Sequence, residues 1–82
     1  MSSLDERINS VMLSFIRKRV PEADVADFET PMYDLDMDSL DVVDLSNALD
    51  EEYGVKADLE RVSECITPSD LRAYFRDLID AT

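Results

Sequence analysis

Between Leu4 and about Arg19 the apolar residues Leu4, Ile8, Val11, Met12, Phe15 and Ile16 recur at steps of three and four. That spacing places them on one face of a helix. Ser3 is set to cap its start, and Glu6 lies three residues on, a capping-box spacing. Arg17, Lys18 and Arg19 fall in the expected last turn, where positive charge suits the helix dipole. Val20-Pro21 closes the helix, because the residue before proline disfavours helical geometry. Residues 21 to 38 contain Pro21 and Pro31 and show no period, which predicts a long connection. Val25, Phe28, Met32, Tyr33 and Leu35 are spaced along it and are expected to pin it onto the core.

A second helix is predicted from about Ser39 to Tyr53, with Asp38 as N-cap, Asp41 at the third position and Gly54 as a left-handed C-cap. Val42, Leu45, Leu49 and Tyr53 belong to its core face, while Leu40, Val43 and Asn47 fall on a neighbouring one. A helix with two apolar faces is either deeply buried or binds something with the second. Asp58 can cap a short helical turn from Leu59 to Ser63. Thr67-Pro68-Ser69-Asp70 then supplies an N-cap, a proline at the first helical position and an acid at the third. Leu71, Tyr74, Phe75, Leu78 and Ile79 form the stripe of a last helix ending near Asp80. The expected fold is all-α: a small four-helix bundle of three main helices and one short one, with a long loop between helices 1 and 2. Residues 1–82 are expected to form one domain.

Charge sharpens this picture. The net charge is −12, which opposes nucleic-acid binding and favours basic protein partners drawn in by salt-sensitive steering. It also opposes self-association, so a monomer is expected. Eight acids and no Lys or Arg lie between Asp34 and Glu52, whereas residues 1 to 20 hold four basic and two acidic residues. Like charges at 38, 41 and 44 crowd one helix start beyond what the dipole requires. A docking site for basic helices accounts for them better than a merely solvated face. No leader-like segment and no membrane-length apolar run is visible, so a cytoplasmic location is expected.

The chemistry converges on Ser39, where an acidic loop becomes a helix in DLDMDSLDVVDL. There is no histidine and no GxSxG elbow, and neither Lys18 nor Lys56 sits in a motif, so self-contained catalysis is not expected. A serine at a helix start does suit a phosphate ester, whose charge the free N–H groups and dipole stabilise. The run Asp34-x-Asp36-x-Asp38 resembles the opening of a calcium loop. Ser39 stands where its glycine belongs and Leu45 where its bidentate glutamate belongs, so no metal site is expected. Cys65 is the lone cysteine and reads as a small buried packing residue.

The amphipathic first helix, the long loop, the DSL triplet, the acidic helix DVVDLSNALDEEYGV and the ITPSDL entry to the last helix together resemble a free-standing carrier protein of the acyl/peptidyl carrier superfamily. The likeness spans almost the whole chain. It implies a 4′-phosphopantetheine arm, transferred from coenzyme A to Ser39 by a phosphopantetheinyl transferase, that carries acyl or aminoacyl groups as thioesters. It also implies that Asp38, Leu40, Asp41, Val43, Asp44 and Asn47 meet the partners, which would be a loading enzyme, dehydrogenase, acyltransferase or synthase with a basic docking surface. Such a protein is no enzyme itself.

One position departs from the pattern: Asp36 replaces the glycine usual two residues before the DSL aspartate. Aspartate tolerates left-handed geometry better than most residues, so the turn is expected to survive. The change favours a specialised carrier of polyketide or nonribosomal peptide biosynthesis over a fatty-acid synthesis carrier. The competing reading, a cofactor-free acidic interaction module, predicts no covalent arm. The cargo has no local motif, and any pocket for it is expected among residues such as Phe28, Leu49, Tyr53 and Ile66.

Overall fold

A computed structural model describes residues 3–81. Its four α-helices are α1 (Leu4–Ile16), α2 (Ser39–Tyr53), α3 (Leu59–Glu64) and α4 (Pro68–Asp80). No strand occurs among the described residues. α1 packs on α2 and α4, and the short α3 bridges α2 and α4. The core is drawn from every one of these elements and from the connection before α2: Ile8, Met12, Ile16, Phe28, Leu45, Leu49, Val62, Leu71 and Phe75 are all buried.

Caps fix the helix boundaries. The Ser3 hydroxyl accepts from the Glu6 N–H, and the Asp58 carboxylate accepts from the Glu60 N–H. At α4 the box is reciprocal: the Asp70 N–H donates to Thr67 Oγ1 while the Asp70 carboxylate accepts from the Thr67 and Ile66 N–H groups. Those donors hold the Asp70 carboxyl below its ordinary pKa. Gly54 ends α2 with φ +63, and the Val55 N–H closes back on the Asp50 carbonyl at 3.1 Å. Only a residue at home in the left-handed region turns a chain this way without strain.

Two expectations are corrected here. α1 stops at Ile16, not Arg19, and Arg17, Lys18 and Arg19 occupy the tight turns beyond it. The Arg17 Nε donates to the Ala23 carbonyl at 2.9 Å, so this side chain braces the turn instead of capping the helix C-terminus. The connection between α1 and α2 is also more regular than its missing period suggests, with short 3₁₀ helices at Val25–Glu29 and Met32–Leu35. Phe28, Met32 and Leu35 pin it as expected. Val25 and Tyr33 are exposed, and Ala23 and Met37 are buried in their place. The Met32 N–H donates to the Ile66 carbonyl at 2.8 Å, which ties this connection to the α3–α4 junction.

α2 holds one buried residue its apolar pattern does not announce. Ser46 is fully buried, and its hydroxyl has no partner. A buried hydroxyl left unpaired costs about 1–3 kcal/mol, and alanine is the better helix former. Ser46→Ala is therefore expected to raise stability by about 1 kcal/mol, read as a higher urea midpoint at unchanged slope.

Candidate functional site

Asp38 and Asp41 build the entry to α2. The Asp41 N–H donates to Asp38 Oδ1 at 2.9 Å, and the Asp38 N–H donates to Asp41 Oδ2 at 3.2 Å. This closed box fixes the first helical residue, Ser39, at the surface. The Ser39 hydroxyl is engaged by no other group among the described residues. The N–H groups of Ser39 and Leu40 have no carbonyl one turn back inside the helix, so they face outward as donors beside that hydroxyl.

The approach to Ser39 depends on Asp36, which takes φ 59 and ψ 22. Among the described residues it is the only non-glycine with positive φ. The Met37 N–H reaches back to the Met32 carbonyl at 3.1 Å, closing the turn and bringing the buried Met32 and Met37 side chains to the same wall. The turn survives without glycine, as the sequence led us to expect. Left-handed geometry still strains a residue with a Cβ, by up to about 1–2 kcal/mol and less for aspartate. Asp36→Gly is accordingly expected to gain up to about 1 kcal/mol in urea unfolding, whereas Asp36→Val, whose branched Cβ opposes this geometry, loses at least as much.

Ser39 opens onto a cavity of ≈ 420 Å³ between α2, α3 and the preceding connection. Met32, Met37, Val42, Val43, Val62 and Ile66 form most of its apolar wall. Tyr33, Leu59 and Ile66 on its lining are exposed large side chains, as is Leu40 beside it on α2. This cavity is largely invisible in the sequence. Of the four residues expected to shape a pocket only Ile66 lines it; Phe28 and Leu49 are core residues, and Tyr53 is a half-buried one. Cys65 is half-buried rather than buried, and it lines the same cavity. Burial, with Asp70 and Glu64 nearby, pushes its thiol pKa up, so it is a poor nucleophile.

The expected partner-facing residues divide into two groups. Leu40, Val43, Asp44 and Asn47 follow one another at helical spacing along an outward ridge, with Leu40 at 72% exposure and Val43 turned towards the cavity. Asp38 and Asp41 are instead tied into the cap. Asp41 is further held by Arg19, whose Nη2 lies 3.2 Å from Oδ1 and 3.1 Å from Oδ2. The guanidinium, with the Asp38 backbone N–H, keeps the Asp41 carboxyl below the usual carboxylate range. On this side of the ridge Phe15, Lys18 and Arg19 face Asp41 and Asp44 across a charged cleft. Lys18 lies over the Phe15 ring at 4.6 Å.

Among the described residues no group of acids, cysteines or histidines is placed to hold a metal ion. No helix is long and apolar enough to cross a membrane. The chain was also compared with known proteins. A family model described as phosphopantetheine attachment site matches residues 15–75, a span that holds α2, α3, the cavity and Ser39. No solved structure matches.

Proposed function

The chain belongs to the phosphopantetheine attachment-site family, whose domains carry a covalent 4′-phosphopantetheine, and from that membership we propose that Ser39 is the residue that holds it. The observation that supports this is the placement of an exposed, unengaged hydroxyl at the start of a 15-residue helix. The residues there fit the group. Two outward N–H groups and the helix dipole favour the negative charge of a phosphodiester at this atom, and the cavity beside it offers an apolar surface along which an arm can lie. When attached, the arm supplies a terminal thiol that bears acyl or aminoacyl groups as thioesters.

The protein's own work is anchoring and presentation. The Asp38–Asp41 box fixes the serine, and the Asp36 turn keeps the approach clear. Leu40 and Val43 give partners an apolar contact, and Asp44 with the remaining acids steers basic surfaces towards it. The family is a carrier and not a catalytic one, and carriers work with enzymes such as a phosphopantetheinyl transferase and synthases. Contacts of this kind are weakened by salt, which suits a protein that must release each partner quickly.

We place the carrier in a specialised polyketide or peptide-building pathway. The support is Asp36, a charge next to the attachment motif where generic partners meet glycine. The test of the carrier reading is intact-protein mass after incubation with coenzyme A and a broad-specificity phosphopantetheinyl transferase. A single phosphopantetheine is expected, and an unchanged mass on folded protein, with a known carrier modified in parallel, would sink the reading. Loading of the modified protein with malonyl-type or aminoacyl groups in preference to long fatty acyl groups is the expected pathway result.

A further inference from the structure

Resting on the reading of α2 as the docking helix, we propose that Arg19 is a built-in competitor for partner cations at Asp41, and so sets how tightly basic partners engage the first turn of α2. The acidic stretch from Asp34 to Glu52 contains no cation of its own. One reaches it from another element: Arg19, in the turn beyond α1, contacts both carboxylate oxygens of Asp41.

The turn holds Arg19 in place. Its N–H donates to the Ile16 carbonyl at 3.0 Å, and the next N–H, of Val20, donates to the same carbonyl at 2.8 Å. The pair lies at the surface, with side-chain exposures of 49% for Arg19 and 24% for Asp41, so it is open to exchange with an incoming cation. Asp36 and Asp38 add to the attraction that Arg19 feels, and Asp44 lines the same cleft. By contrast, Lys18 lies over Phe15 and makes no ion pair among the described residues. A guanidinium is thus already seated where a partner's arginine would sit. Docking there must first displace it, and an arginine exchanges for it on more equal terms than a compact, strongly hydrated lysine ammonium.

The test is steady-state kinetics of a phosphopantetheinyl transferase on the full chain at low salt, read together with the mass of the product. Arg19→Gln is expected to lower KM for the protein roughly two- to fivefold, the scale of one exposed ion pair, with kcat unchanged. Lys18→Gln removes the same charge without freeing Asp41 and is expected to move KM less. The gain should vanish when Arg19→Gln is placed on Asp41→Asn, and Arg19→Lys should fall between wild type and Arg19→Gln. Three results would overturn the proposal: an unchanged KM, a raised KM, or an equal drop in Lys18→Gln. Failure of the wild type to be modified at all would overturn the carrier reading and this proposal with it, whereas modification at an unshifted KM overturns this proposal alone.

Discussion

Ser39→Ala is expected to abolish phosphopantetheine attachment while leaving the fold intact. Incubated with coenzyme A and a transferase, the wild type gains one arm and the variant none, so the two differ by the whole signal in intact mass. The structure makes the expectation specific, because the other described serines of the helices are occupied or hidden. Ser10 and Ser14 donate to backbone carbonyls of α1. Ser63 also lines the cavity, but its hydroxyl donates to the Glu60 carbonyl at 2.7 Å. Ser69 donates to Glu29, and Ser46 is buried. Among the described serines, only Ser39 combines an exposed, unengaged hydroxyl with the start of a long helix. Because its side chain supports nothing else, the change in stability should stay within about 0.5 kcal/mol, checked by thermal melting of both proteins. Attachment that persists in the variant would move the site elsewhere, with Ser63 the first residue to test.

The parts of this molecule that are legible in its sequence are those fixed by a few neighbouring residues. Asp38 with Asp41, Thr67 with Asp70, and Gly54 each satisfy a helix end locally, so α2 and α4 lie where their caps put them. The DSL motif is legible for the same reason. The end of α1 is not, because Pro21 excludes helix only near itself, while the actual stop at Ile16 comes with a turn braced by Arg17 on Ala23. The 3₁₀ pieces at Val25–Glu29 and Met32–Leu35 are too short to display a period. In the connection, apolar character did not decide burial: Tyr33 is 69% exposed and Met37 is buried, because the Asp36 turn directs the chain between them. The cavity and the Arg19–Asp41 pair unite residues from separate elements, and no local pattern encodes them.

Phe28→Ala is expected to cost the most stability of any change in the long connection, about 3–5 kcal/mol. Small domains are stable by only about 5–15 kcal/mol in total, so the variant should be marginal or unfolded at physiological temperature. Phe28 is 1% exposed. It anchors the first 3₁₀ turn against α4, where the Arg72 guanidinium lies over its ring at 5.5 Å and also donates to Asn9 at 3.0 Å. Removing the ring therefore leaves a void and takes a partner from the arginine that links α4 to α1. The same turn precedes Met32, Met37 and the Asp36 bend, so loosening it also frees the approach to Ser39. The expected readout is a large drop in urea midpoint, with phosphopantetheine attachment slowed in step with the folded fraction. Phe28→Leu keeps most of the volume and should lose far less. Val25→Ala and Tyr33→Ala, on the exposed side of the same connection, should stay within about 0.5 kcal/mol of wild type. A loss below about 1 kcal/mol in Phe28→Ala would show that the connection is held by Met32, Leu35 and the Met32–Ile66 backbone bond alone.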